Sequence, residues 1–253
     1  NDPKKQLCKS GLCVVSGSWD KTVRIWDAAG REGEGGCLRV LEGHSDGVTS
    51  VAILNDAKNP LCKSGLCVVS CSYDKTVRIW DATGVEGKDG CLRVFQGHSQ
   101  YVNSVAILND PKKQLCNSGL CVVSGSHDST VRIWDATGSE GKDGCSGVFE
   151  GHSNKVTSVT ILNDPKKQLC KSGLCVVSGS YDKTVRIWDA TGSERKDGCL
   201  RVFEGHSKWV NSVAILNDPK KQLCKSGLCV VSGSSDNTVR IWDATGSEGK
   251  DGC

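Results

Sequence analysis

Apolar and polar residues alternate along this chain in short bursts, never in the three-and-four spacing of a helix. Between residues 91 and 144 there are four such runs: Cys91 to Gln96 (CLRVFQ), Val102 to Leu108 (VNSVAIL), Leu120 to Gly125 (LCVVSG) and Thr130 to Asp135 (TVRIWD). Each is bounded by Gly, Asn, Asp, Ser or Pro, and several are rich in β-branched residues, the pattern of strands joined by turns. Four strands with short connections predict an up-and-down meander. The pattern then recurs. Gly-His stands at Gly43-His44, Gly97-His98, Gly151-His152 and Gly205-His206, and Trp-Asp at Trp26, Trp80, Trp134, Trp188 and Trp242, in both cases 54 residues apart. A strict period of this size marks a repeat architecture, because a sheet that is apolar on both faces has to be covered by its neighbours.

Radial stacking of such sheets is the propeller solution, which also leaves few free edges. Gly-His, then Ser-Gly-Ser-x-Asp, then Val-Arg-Ile-Trp-Asp, repeated over essentially the whole chain, resembles the signature of WD-repeat β-propellers. The resemblance implies an all-β fold in which the first strand of each sequence repeat is the outermost strand of the preceding blade. Residues 1–253 are then one propeller domain: blade 1 at 1–44 (partial), blade 2 at 45–98, blade 3 at 99–152, blade 4 at 153–206 and blade 5 at 207–253 (partial). Residues 1–17 match residues 109–125 except at Lys9, where Asn117 stands. Five units of 54 would take 270 residues, 17 more than the 253 present, so a fragment or trimmed domain is expected. Its open ends are expected to meet further blades outside the chain or to exchange strands with another copy.

The family pattern further implies a buried hydrogen-bond network in each blade, from a turn Asp to the Gly-His histidine, to a strand Ser, to the Trp indole. The matching residues are Asp74, His44, Ser70 or Ser72 and Trp80 in blade 2; Asp128, His98 and Trp134 in blade 3; Asp182, His152 and Trp188 in blade 4; and Asp236, His206, Ser232 or Ser234 and Trp242 in blade 5. Blade 1 has Asp20, Ser16 and Trp26 but no histidine upstream. Ser, His and Asp together suggest a hydrolase, yet a catalytic constellation is needed once and requires an exposed nucleophile with an oxyanion hole. The repeated triplets therefore read as structural, and no catalytic residue is expected.

Many of the differences between copies fall in two slots. After Gly-His-Ser the pairs are Asp46-Gly47, Gln100-Tyr101, Asn154-Lys155 and Lys208-Trp209; the residue inside the Ser-x-Asp turn is Trp19, Tyr73, His127, Tyr181 or Ser235. Alternating strand direction puts both slots at the same end of every blade. Apart from the Trp-Asp tryptophans and Phe95, Phe149 and Phe203, the five aromatic residues of the chain, Trp19, Tyr73, Tyr101, Tyr181 and Trp209, all occupy these slots. Exposed amphipathic rings clustered on one face have the composition of a binding hot spot. Trp19, Gly47, Tyr73, Tyr101, His127, Lys155, Tyr181, Trp209 and Ser235 are thus the candidate partner-binding residues. In WD-repeat proteins these positions match the face over the central channel, where peptide segments dock. The expected function is a non-catalytic scaffold for proteins or peptides.

More specialised readings lose weight on single residues. Ubiquitin-ligase substrate receptors of the family often carry Trp-Asp-x-Arg, and here Ala29, Thr83, Thr137, Thr191 and Thr245 take the Arg position. The Phe-Arg-Arg-Gly motif of phosphoinositide-binding propellers is absent. An enzyme using the channel would need unrepeated residues, of which His127, the one histidine outside Gly-His, is the sole candidate.

Charge changes this picture little. Thirty-two basic and twenty-nine acidic residues are interspersed, for a net charge of +3, which does not suggest a nucleic-acid partner. Lysine pairs at Lys4-Lys5, Lys112-Lys113, Lys166-Lys167 and Lys220-Lys221 belong to the end opposite the rings, where solvated lysines are the simplest reading. No apolar run approaches the roughly 18 residues that span a bilayer, and no leader pattern opens the chain, so an intracellular, cytoplasmic or nuclear, protein is expected. The sixteen cysteines follow the repeat, mostly as LCKSGLC, and in an intracellular chain read as reduced, apolar thiols. Cys-x4-Cys is a poor zinc spacing and lies roughly 15–20 Å from the histidines at the strand rise, so neither metal nor cofactor is expected.

Overall fold

The computed structural model describes residues 8, 11–29, 36–55, 61, 65–83, 90–109, 116, 118–138, 144–164, 166, 169–192 and 198–246. They form five antiparallel sheets in which strands follow one another in chain order. The first contains β1 (Cys13–Gly17), β2 (Val23–Asp27) and β3 (Cys37–Leu41). The second contains β4 (Val48–Asn55), β5 (Leu66–Ser72), β6 (Val77–Asp81) and β7 (Cys91–Phe95). The third runs through β8 (Val102–Asn109), β9 (Leu120–Ser126), β10 (Val131–Asp135) and β11 (Cys145–Phe149), and the fourth through β12 (Val156–Asn163), β13 (Leu174–Ser180), β14 (Val185–Asp189) and β15 (Cys199–Phe203). The fifth has β16 (Val210–Asn217), β17 (Leu228–Ser234) and β18 (Val239–Asp243). The run CLRVF thus closes the sheet before it, as the resemblance implies: β7 hydrogen-bonds to β6, Val77 opposite Phe95.

Successive sheets pack face to face. The outer-strand phenylalanine of one sheet lies on the Trp-Asp tryptophan of the next: Phe95 on Trp134 at 5.5 Å, Phe149 on Trp188 at 5.6 Å and Phe203 on Trp242 at 5.4 Å between ring centres. All four of Trp80, Trp134, Trp188 and Trp242 are fully buried. The two end sheets keep one face uncovered. Val239 is 71% exposed whereas its counterparts Val131 and Val185 are 0%, and Val14 is 51% exposed whereas Val122 and Val176 are 0%.

The innermost strands are joined by a device that the alternation pattern conceals. Each begins with a bulge, between Val48 and Ser50 in β4 and at the equivalent places in β8, β12 and β16. A bulge leaves one residue out of the ladder and re-aims its side chain. Here the displaced residue reaches the next sheet: Thr49 Oγ1 donates to the Val102 carbonyl, Asn103 Nδ2 to that of Val156 and Thr157 Oγ1 to that of Val210, each at 2.6 Å. The following serine returns the bond. Val105 N donates to Ser50 Oγ at 3.4 Å, Val159 N to Ser104 Oγ at 3.1 Å and Val213 N to Ser158 Oγ at 3.2 Å.

The cysteines of the repeat are not the reduced thiols expected. Cys8–Cys13, Cys116–Cys121, Cys170–Cys175 and Cys224–Cys229 are disulfides, with Cα atoms 5.8–6.1 Å apart. That separation lies within the range a disulfide spans. The cause is the glycine between them. Gly11, at φ +77°, donates its N–H to the Cys8 carbonyl at 2.8 Å and folds the chain back on itself, and Gly119, Gly173 and Gly227 repeat the turn. Cys37, Cys71 and Cys145 are free thiols.

Candidate binding face

Both variable slots are held by the same local architecture. In Ser-x-Asp the chain makes a tight turn closed by Lys75 N on the Ser72 carbonyl at 3.2 Å and Ser72 N on the Thr76 carbonyl at 3.3 Å, with Lys75 in the left-handed region at φ +69°. This is a three-residue hairpin loop with a bulge, which favours glycine at that last position. Ser72 Oγ accepts the Asp74 N–H at 3.0 Å and donates to the Asp46 carbonyl at 2.9 Å, tying the turn to the loop after Gly-His-Ser. Ser126, Ser180 and Ser234 do the same for their blades. The slots are also joined through the backbone: Tyr73 N donates to the Gly47 carbonyl, His127 N to Tyr101, Tyr181 N to Lys155 and Ser235 N to Trp209, at 2.8–3.0 Å.

Beneath each turn lies the four-membered network. The first of the two candidate serines completes it. In blade 3, Trp134 Nε1 donates to Ser124 Oγ at 2.9 Å, Ser124 Oγ meets His98 Nε2 at 2.7 Å, and His98 Nδ1 meets Asp128 Oδ2 at 2.8 Å. Blades 2, 4 and 5 repeat this with Trp80–Ser70–His44–Asp74, Trp188–Ser178–His152–Asp182 and Trp242–Ser232–His206–Asp236. Burial pushes His98 and His152 below the usual imidazole range, outweighing the adjacent carboxylates. A neutral ring assigns the protons: Nδ1–H donates to Asp128, Nε2 accepts from the Ser124 hydroxyl, and the serine oxygen accepts from the indole. Burial works against the charge of Asp128, yet hydrogen bonds from His98 and Thr130 outweigh it and hold the carboxyl well below its usual range. Asp74 is likewise held at about 2. Ser70, Ser124 and Ser178 are wholly buried and Ser232 nearly so, with no face open to an incoming substrate.

Glycine in Gly-His has a specific cause. Gly43 sits at φ +145°, and a Cβ there would lie 2.9 Å from Arg78 Nη1 and 3.2 Å from the Trp80 ring. Those two side chains stack, with the guanidinium 5.7 Å from the ring centre. In blade 1, where no histidine precedes the tryptophan, Trp26 still donates to Ser16 at 2.9 Å, but Arg24 turns to Asp20 at 3.0 Å.

On this platform the variable residues form an arc of two contact runs that border one cavity. Trp19 contacts Tyr73 at 4.9 Å, Tyr73 contacts Tyr101 at 4.7 Å, and Tyr101 contacts His127 at 5.5 Å. Beyond His127, Lys155 Nζ lies 4.6 Å from the Tyr181 ring centre, and Tyr181 stacks on Trp209 at 4.3 Å with an interplanar angle of 6°. Gly47 is a spacer: a Cβ there would meet the Trp19 ring at 2.9 Å. Trp19, Tyr101 and Trp209 are exposed, and Tyr73, His127, Lys155 and Tyr181 half-buried. A cavity of about 470 Å³ opens inside the arc at the channel mouth. At the opposite end Lys166, Lys220 and Lys221 are exposed, and Lys4, Lys5, Lys112, Lys113 and Lys167 lie outside the described residues. Among the described residues no three His, Cys, Asp or Glu side chains converge as metal ligands, and no helix is long and apolar enough to cross a membrane.

Five sheets, four of them stitched at their inner strands and carrying a Trp–Ser–His–Asp core and the first keeping its Trp26–Ser16 bond, define a propeller of Trp-Asp repeats. The family model for the WD domain, G-beta repeat, matches residues 6–27, 35–81, 89–135, 143–189 and 197–243, and the chain belongs to this family. It is 30% identical to the nuclear distribution protein PAC1 of Arthroderma otae, over 96% of this chain and 49% of that protein. It is 27% identical to the ribosome biogenesis protein WDR12 homolog of Nematostella vectensis, over 96% of this chain and 54% of that protein. The chain spans about half the length of the curated relatives it matches.

Proposed function

We propose that this chain is a non-catalytic scaffold that holds a protein or peptide partner on the arc running from Trp19 to Ser235. One observation carries the reading: residues scattered over the sequence, at slots that differ between copies, come together as two runs of contacts, Trp19–Tyr73–Tyr101–His127 and Lys155–Tyr181–Trp209, that border one cavity. Rigid exposed rings on a stitched framework lose little entropy when a partner covers them. The serines and histidines of the repeated triplets, which could suggest a hydrolase, are used up in the buried networks, and His127 stands apart from them on the cavity rim. The names of the relatives describe nuclear distribution and ribosome biogenesis and support an intracellular location, against which stand the disulfides.

The test is affinity capture from the source cell extract with the intact chain and with a variant in which Trp19, Tyr73, Tyr101, Tyr181 and Trp209 are alanine. A partner held by the first and lost by the second, both with the same circular dichroism, is the expected result. Equal retention by both would transfer the role to another face.

A further inference from the structure

The arc is not uniform in charge, and its charge selects the side chain that enters the channel mouth. Trp19, Tyr73, His127, Lys155 and Tyr181 line the rim of the 470 Å³ cavity. Among the described residues no Asp or Glu lines it, and Lys155 is its one permanent charge. Lys155 forms no ion pair with any described carboxylate; its ammonium rests against the Tyr181 ring, which is backed in turn by Trp209. A half-buried ammonium held by π contact alone keeps its strongest hydrogen-bonding capacity unused.

The wall side chains and backbone N–H groups of the mouth are engaged in bonds within the fold. Thr49, Asn103 and Thr157 on its wall donate to the carbonyls of Val102, Val156 and Val210. The backbone N–H groups of Tyr73, His127 and Tyr181 are bonded to carbonyls of the neighbouring loop. Burial and the proximity of Lys155 both hold His127 below the usual imidazole range, so it adds no second charge at neutral pH. A cationic ligand would meet Lys155 with no carboxylate to offset it. A phosphate dianion would find one cation and no free N–H cradle. A carboxylate matches the site in charge.

We propose that the channel mouth takes the carboxylate of a Glu or Asp side chain from a linear peptide onto Lys155, while an adjacent apolar or aromatic side chain of that peptide lies on the Trp19–Tyr73–Tyr101 rings. This rests on the reading of the arc as the partner surface.

Fluorescence anisotropy with the intact chain tests it, using labelled octapeptides that share one tryptophan and differ at a central position: Glu, Asp, Gln, Lys or phosphoserine. The Glu and Asp peptides are expected to bind about tenfold more tightly than the Gln peptide, as one charge-assisted contact gives. Lys155→Gln is expected to remove that preference and leave the Gln peptide unaffected, Lys155→Arg to keep it, and Lys155→Glu to shift it to the Lys peptide. Trp19→Ala is expected to weaken all five alike. Binding that depends on Trp19 but ignores the central residue overturns the acidic subsite and leaves the arc standing. Preference for phosphoserine over Glu overturns the choice of carboxylate. Binding indifferent to Trp19→Ala, or no binding by any peptide, counts against both the subsite and the arc.

Discussion

Ser124→Ala in blade 3 and Ser16→Ala in blade 1 are the same substitution at equivalent positions, and the structure makes their costs unequal. Ser124 is wholly buried and accepts from Trp134 Nε1 at 2.9 Å while facing His98 Nε2 at 2.7 Å. Removing its hydroxyl leaves an indole N–H and an imidazole nitrogen buried without partners. Each such group costs about 1–3 kcal/mol, so a loss of about 3 kcal/mol is a central estimate for the pair. Ser16 serves only Trp26, which is half-buried, and blade 1 has no histidine. Water can replace that single bond, and its loss is worth about 1 kcal/mol. In a chain of this size one kcal/mol moves the melting temperature by about 2–4 °C, so drops of about 6–12 °C and 2–4 °C are expected by far-UV circular dichroism. Trp134→Phe supplies the control: it should cost less in the Ser124→Ala background than in the parent, with a coupling of about 1–2 kcal/mol. Equal melting temperatures for Ser124→Ala and Ser16→Ala, or strict additivity in the cycle, would refute the network as a cooperative unit.

Three other outcomes are expected. Lys75 occupies a left-handed position at φ +69° that favours glycine, so Lys75→Gly should raise stability by about 0.5–1 kcal/mol in denaturant titration, whereas Thr76→Gly, which removes the hydroxyl bonded to Asp74 just before β6, should lower it. Stability should fall in two stages on acidification. The folded pKa values of His98 and His152 lie below the unfolded value of about 6.5, so stability present above that pH is lost as the unfolded chain takes up protons. Asp74, held at about 2 against about 3.9 unfolded, adds a second loss between roughly pH 4 and pH 2; melting curves from pH 8 to pH 2 give both. Finally, alkylation of the native protein under denaturing, non-reducing conditions should leave Cys8, Cys13, Cys116, Cys121, Cys170, Cys175, Cys224 and Cys229 unmodified and label Cys71. Labelling at the paired positions would restore the reduced-thiol reading.

The strands were plain in the chain because their limits are set by local chemistry. Runs read as 102–108 and 120–125 extend to Val102–Asn109 and Leu120–Ser126, differing by one residue where a polar strand end still pairs. That both slots share one end followed from counting strands. Their order around the arc did not, since it depends on which blade faces which. The role of Gly47 needed the position of Trp19, a residue 28 places earlier in the chain. Thr49, Asn103 and Thr157 escaped notice because a bulge shifts a period-two pattern by one residue without altering its composition. The disulfides were misjudged from the size of the chain and an expected intracellular location, when the local signal was the glycine that turns the chain between two cysteines. The choice between Ser70 and Ser72 turned on register: Ser70 faces Arg78 and is two residues from the pair Val68–Trp80, which brings its hydroxyl to the indole.

The central claim is that partners cover the arc, and side-chain oxidation footprinting of the captured complex tests it most directly. Trp19, Tyr101 and Trp209 are exposed on that face, and Leu223, 62% exposed at the opposite end, is an internal reference. Loss of oxidation at the three rings with Leu223 unchanged is the expected result. Protection of Leu223 with the rings still reactive would put the partner on the other end of the propeller and contradict the account.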